Sequence, residues 1–152
     1  MNQADRFKLE IKQTSSLTAL ELLEIMQARV AVFVVEQDCP YQEIDAKDEA
    51  AWHVILKEED KMVAYARIVG HDDGVSISFG RVLVVKPYRQ MHLGRTIVMA
   101  ALTEIEERFP EKTVKIAAQE YLRKFYETFG FKAQSEVYLE DGIPHLDMIL
   151  EK

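Results

Sequence analysis

One cysteine, Cys39, is all the chain has, so no disulfide can form within it and a reducing compartment is expected. Long apolar runs are missing too. None exceeds the six residues of Val30 to Val35, far too short to span a bilayer. The opening residues Met1 to Arg6 are polar and carry no apolar signal core. Together these absences predict a cytoplasmic protein with no membrane partner. Basic residues are outnumbered, 19 Lys and Arg against 26 Asp and Glu, for a formal net charge of −7. That balance argues against nucleic acid as a partner, since phosphate binding draws on an excess of Lys and Arg. The four histidines are scattered, with no His-x-x-x-His pair, so no metal site is expected. Repeats, low-complexity tracts and Pro/Gly/Ser linkers are absent as well. The 152 residues are therefore expected to form one domain, 1–152.

What is present alternates between two periods. Phe7 to Ile11 alternates apolar and polar and reads as a strand. Thr18 and Glu21 have capping-box spacing. They precede Leu22, Leu23, Ile25, Met26, Val30 and Phe33 at helical spacing, a helix expected to end near Val34. Pro40 forbids its continuation. Trp52 to Lys57 and Met62 to Val69 read as a hairpin, and Val75 to Val85 as a third strand with a bulge near Phe79-Gly80. Leu93 to Phe109 carries one apolar helical face closed by Pro110. Val114 to Ala118 reads as a short buried strand. Glu120 to Phe129 reads as an amphipathic helix with Gly130 as its cap. Asp141-Gly142 marks a hairpin between Val137–Leu139 and His145–Leu150.

The segment Val82 to Thr96, VLVVKPYRQMHLGRT, takes an apolar strand through a short polar loop into a helix. The first N–H groups of such a helix lack intrahelical partners, and with the macrodipole they form a site for an anion such as a pyrophosphate. Arg89 and Arg95 flank it, and Gly94 lets the backbone come close to a ligand. Taken alone, the segment also fits an ordinary connection with solvated arginines.

This segment resembles the coenzyme A loop of the GNAT acetyltransferases, whose pattern is Gln/Arg-x-x-Gly-x-Gly/Ala. Arg89 matches the first position and Gly94 the last, while His92 stands where the family has its first glycine. A residue with a Cβ calls for a negative φ there. Ala118 to Phe131 resembles the later helix of the same family, with its Phe/Leu-Tyr-x-x-x-Gly-Phe ending. Val32 to Tyr41, followed by Asp45, Asp48 and His53, is similar to the ElaA-type branch, as is Glu140 to His145.

The resemblance implies an α/β GNAT-like domain. Its sheet is mixed and mostly antiparallel, with about seven strands flanked by about four helices. It implies acetyl-CoA as cosubstrate, direct transfer to a small-molecule or peptide amine, no metal, and room for a homodimer. Cofactor contacts fall on Leu83, Val84, Val85, Arg89, Gln90, Met91, His92, Leu93, Gly94, Arg95, Thr96 and Gln119. Tyr126 takes the place of the general acid that protonates the departing thiolate. Glu36, His53 and His145 are candidates for the base or for acceptor recognition. Each has a structural alternative: an ion pair at a helix end, a half-buried imidazole, a brace for the Asp141-Gly142 hairpin. Cys39 has acidic sequence neighbours and reads as structural or pocket-lining. The His92 departure also admits a non-catalytic module that binds or senses acetyl-CoA.

Overall fold

The structure is a computed structural model and describes residues 6–151; the polar start, up to Asp5, lies outside them. Thr18 opens helix α1 (Ala19–Val30), as its spacing to Glu21 predicts. The Thr18 hydroxyl accepts from the Glu21 N–H at 3.1 Å, and the Glu21 carboxylate accepts from the Thr18 N–H at 2.9 Å. The helix does not stop at Val34. Its turns widen to a π-helical stretch, Ala31–Glu36, before the chain breaks away.

The strands are β1 (Phe7–Gln13), β2 (Trp52–Glu58), β3 (Lys61–Gly70), β4 (Ile77–Val84), β5 (Val114–Gln119), β6 (Lys132–Ala133), β7 (Tyr138–Glu140) and β8 (Ile143–Leu150). They form one eight-stranded sheet in the order β1-β2-β3-β4-β5-β8-β6, with β7 also paired to β8. The count exceeds the expected seven by β6, which at two residues is too short to show a period. Among the described residues three α-helices stand where about four were expected: α1, α2 (Leu93–Arg108) and α3 (Arg123–Glu127). The segment read as a helix from Glu120 begins as a 3-10 turn, Glu120–Leu122, and only then becomes α3. Its exit is a Schellman turn. Gly130 at φ +99° donates to the Glu127 carbonyl, and the Phe131 N–H reaches back to Tyr126.

Both faces of the middle strands are buried. Val54, Leu56, Ala64, Ala66 and Ile68 pack with Leu93, Ile97, Val98, Ala101 and Ile105 of α2. On the other face Ile55, Met62 and Tyr65 pack with Ile25 of α1. That explains the near-continuous apolar reading of β2 and β3. β4 changes allegiance midway. Tyr65 faces Leu83 while Arg67 faces Gly80, so β4 holds one residue more than β3 across that interval. The extra residue is a bulge at Arg81-Val82, with Arg81 at φ +52°. It falls just beyond the expected Phe79-Gly80. Phe79 therefore packs on the α2 side and Leu83 on the α1 side, though four positions separate them.

The one parallel neighbour pair, β4 with β5, is barely a pair. It is matched only at Ile77 and Val114, with one further bond from the Ile77 N–H to the Thr113 carbonyl at 3.0 Å. β5 instead pairs with β8 along its whole length. Past that first contact β4 and β5 part, and the sheet opens into two halves joined at one end.

Candidate functional site

A cleft of about 750 Å³ fills the opening. Residues 78–84 of β4 form one wall, and residues 116–119 of β5 with Tyr121 and Tyr126 form the other. The loop after α1 lies across it, contributing Gln37, Cys39, Tyr41 and Asp45, and the β7–β8 turn adds Glu140, Asp141 and His145. Two contacts tie that loop to the far half of the sheet. Gln119 Nε2 donates to Gln37 Oε1 at 3.3 Å, and the Cys39 thiol to the Asp141 carbonyl at 3.4 Å. The β7–β8 turn is the type that Asp-Gly favours, with Asp141 and Gly142 both at positive φ.

Of the residues expected to hold the cofactor, Leu83, Val84, Arg89 and Gln119 line this cleft. Val85 is bonded to β3 through its N–H, at 2.9 Å from the Val63 carbonyl. Gln90, Met91, His92, Leu93, Gly94, Arg95 and Thr96 form the turn into α2 and are not part of the cleft lining. The first intrahelical bond runs from the Thr96 N–H to the His92 carbonyl at 3.3 Å. The N–H groups of Leu93, Gly94 and Arg95 precede it and have no place in the helical ladder. Gln90 and His92 both adopt left-handed conformations. His92, at φ +60° and ψ 25°, corrects the expectation of a negative φ. It takes the glycine-like conformation without the glycine, at a cost of about 1–2 kcal/mol. Arg95 points to α3 instead of standing free beside the turn. Its Nη1 donates to Thr128 Oγ1 at 2.9 Å and its guanidinium lies 4.5 Å from the Phe129 ring centre.

Tyr126 lies between α3 and the cleft, with its ring edge-on to Phe79, Phe125 and Phe131. Burial pushes its phenol above the ordinary range, so it is protonated at any physiological pH. His145 is 8% exposed and lines the cleft. Its Nδ1 lies 2.7 Å from the Ile143 carbonyl, which can only accept, so Nδ1 carries the proton. In the neutral ring Nε2 is then the lone-pair nitrogen, with Glu140 3.6 Å away.

The other two base candidates are committed elsewhere. Glu36 lines the cleft, but both its oxygens accept from Arg89, at 2.8 and 2.9 Å. That pairing holds its carboxyl below the usual range, the reverse of a base poised near neutrality. Arg89 also donates from Nε to the Val84 carbonyl at 2.9 Å, so the pair clamps the end of β4. His53 is fully buried and lies outside the cleft lining. The Thr14 hydroxyl gives its proton to the Asp48 carbonyl, so it must accept from His53 Nε2, 2.7 Å away. Nδ1 then accepts from the Tyr65 hydroxyl at 2.6 Å.

A ring of charge beside the cleft escaped the sequence reading, which singled out Asp45 and Asp48 but not their partners. Fully buried Arg29 donates from Nε to Glu43 at 2.6 Å and from both terminal nitrogens to Asp48, at 2.6 and 3.1 Å. Arg81, on the bulge, donates from Nε to Glu43 at 2.9 Å, and the Tyr41 hydroxyl bonds the same carboxylate. Arg67 donates from Nη1 to Asp45 at 2.8 Å and to Asp48 at 3.1 Å. Three arginines thus balance three carboxylates. The available signal was Arg29 itself, one helical turn beyond Ile25 on the buried face of α1. One atom is left over: the buried Nε of Arg67 has no hydrogen-bond partner.

Among the described residues no helix is long and apolar enough to cross a membrane, and no three His, Cys, Asp or Glu side chains are grouped so as to hold a metal ion.

The chain matches the family described as the acetyltransferase (GNAT) domain over residues 17–152. It is 41% identical to protein ElaA of Escherichia coli over 140 residues, covering 90% of this chain and 92% of that one. A UPF0039 protein of Schizosaccharomyces pombe is 40% identical over 142 residues, covering 92% and 94%. Among solved structures, Escherichia coli ElaA superposes with a TM-score of 0.89 at 38% identity, covering 95% of this chain and 99% of that one. An acyl-CoA N-acyltransferase from Pseudomonas aeruginosa gives the same TM-score, 0.89, at 35% identity, again covering 95% and 99%. With its split sheet, its turn into α2 and these relatives, the chain belongs to the GNAT acetyltransferase family.

Proposed function

We propose that this protein transfers an acetyl group from acetyl-CoA directly to an amine. The observation that carries the reading is the opening between β4 and β5. From residue 78 to residue 84, β4 has main-chain groups with no strand beside them, and pantetheine is a chain of amides that can take that place. The pyrophosphate then meets the N–H groups of Leu93, Gly94 and Arg95, which precede the first bond of the α2 ladder. The bulge at Arg81-Val82 takes a residue out of the ladder beside the cleft, where a main-chain N–H can hold the thioester carbonyl as charge builds on it.

In the proposed step the amine nitrogen attacks the thioester carbon and the C–S bond breaks. The Tyr126 hydroxyl supplies the proton that the coenzyme A thiolate takes up. His145 Nε2 receives the proton that the amine gives up. Glu36 and Arg89 act as a structural clamp for β4, and His53 as part of the buried scaffold.

The test has two parts. Acetyl-CoA at about a hundred times its Kd should raise the melting temperature by about 5 °C or more. Tyr126→Phe keeps the ring contacts and should lower turnover by about a hundredfold while cofactor affinity holds. No thermal shift at millimolar acetyl-CoA would sink the reading. Binding without turnover over a broad amine and peptide panel would leave a non-catalytic module in its place.

A further inference from the structure

The charge ring beside the cleft is neutral as a whole, yet one edge of it is unfinished. Arg67 is 4% exposed and still lines the cleft. Its bonds to Asp45 and Asp48 both leave from Nη1. The neighbouring Arg29 shows what a completed guanidinium looks like here, with Nε donating to the Glu43 carboxylate and Nη2 to the Glu43 main-chain carbonyl along one edge. Arg81 does the same to Glu43 with its own Nε and Nη2. Arg67 has that edge too, but its Nε has no partner and, among the described residues, Nη2 makes no hydrogen bond. A buried Nε without a partner is costly, because an unpaired donor forfeits its hydration without return.

Position gives the empty edge a meaning. Arg67 faces Gly80 across β3 and β4, immediately before the bulge at Arg81-Val82. The guanidinium is thus rooted one strand spacing, about 4.8 Å, from the stretch of β4 that the acetyl-transfer reading assigns to the thioester. Nε and Nη2 of one guanidinium form a fork that matches the two oxygens of a carboxylate. A carboxylate suits the surroundings better than a phosphate. Asp45 and Asp48 lie against the same arginine, and Glu140 and Asp141 line the cleft, so a second negative charge would meet more repulsion.

We infer that the acceptor is an amine that also bears a carboxylate, and that this carboxylate docks on the Nε–Nη2 edge of Arg67. The inference rests on the acetyl-transfer reading and narrows its acceptor to amino-acid-like molecules. Arg67 positions the acceptor and takes no part in bond making. Its bond to Asp45 couples the site to the loop after α1, the same loop that Gln37 and Cys39 tie across the cleft.

The full chain is titrated with N-acetylglycine and with N-acetylglycinamide, each with and without saturating coenzyme A. The acid should bind the coenzyme A complex at least about tenfold more tightly than the amide, the difference a charge-assisted fork makes. Arg67→Lys keeps the charge but not the planar fork, and should erase that ratio. Should this variant not fold, the Arg67 Nε–H resonance of the wild-type protein serves instead. It should shift with the acid and stay with the amide. Equal affinities, binding of neither probe, a ratio that survives Arg67→Lys, or a resonance that ignores the acid would each overturn the inference. Failure of coenzyme A itself to bind would overturn the acetyl-transfer reading, a separate result from the same titrations.

Discussion

The His53 ring sits in a line of donors that admits one protonation state. Tyr65 gives a proton to Nδ1, Nε2 gives one to Thr14, and Thr14 gives its own to the Asp48 carbonyl. A second proton on the ring would have to displace the Tyr65 bond inside a fully buried site. Burial is the main cause, and the charges of Arg29 and Arg67 add to it against the pull of Asp48, so the imidazole falls from 6.5 to about 4. The sign follows directly. The unfolded chain takes up the proton first, so the contribution is complete above pH 6.5 and is lost as pH falls from there through about 4. By pH 4 the loss is about 3 kcal/mol. His53→Gln can keep a donor and an acceptor but cannot titrate. Urea unfolding at pH 7 and pH 4.5 should show a much smaller drop for the variant than for the wild type. Equal drops would mean that another group carries the acid sensitivity. Asp48 adds to the same trend lower down. Burial raises its carboxyl, but the Arg29 bonds, the Asp45 N–H and the nearby charges outweigh that and bring it to about 2. Its contribution is present above about pH 4 and fades as pH falls toward 2.

At the scale of elements, the start of α2 departs from the family's glycine pattern at His92. His92 holds the turn in a left-handed conformation with no side-chain cap for the helix behind it. His92→Gly removes the Cβ conflict, worth about 1–2 kcal/mol, while the added freedom of the unfolded chain returns about 1 kcal/mol. Thermal stability should therefore change little. On the proposed reading acetyl-CoA affinity should rise several-fold, because the backbone would come closer to the phosphates. Weaker binding by the glycine variant would show that the His92 side chain itself contributes to the site. Which elements could be read in advance follows from the range of the forces that set them. The Thr18–Glu21 box, the Asp141-Gly142 turn and the Gly130 exit are each closed within a few residues, so the sequence alone shows them. The bulge lies two positions beyond the expected Phe79-Gly80 because its site is fixed by pairing with β3. The two residues of β6 are a strand only because β8 lies beside them.

At the scale of the whole molecule, two groups of strands share one sheet but only one end of one seam. The arginine ring belongs to this scale. Arg29 reaches Glu43 and Asp48 at separations of 14 and 19 residues, and Arg81 reaches Glu43 across 38. No local pattern announces such partners, which is why the charge ring was invisible in the sequence while the capping box and the Asp141-Gly142 turn were legible. The charges hold the loop after α1 against the β1–β4 half, and the Gln37 and Cys39 contacts hold it to the other.

The open seam also bears on how the protein should exchange its hydrogens with solvent. A strand covered on both sides shares the protection of the whole sheet, but β4 is covered on one side only beyond Ile77. Its β5-facing amides should exchange as those of an edge strand do, although they lie in the middle of the strand order. Deuterium uptake over residues 78–84 should therefore be fast in the empty protein and slow with coenzyme A present. The β2–β3 amides should not respond. Uptake that is already slow without ligand would mean that the seam closes on its own. On the proposed reading the cofactor is, in mechanical terms, the ninth strand, and each turnover removes and replaces it.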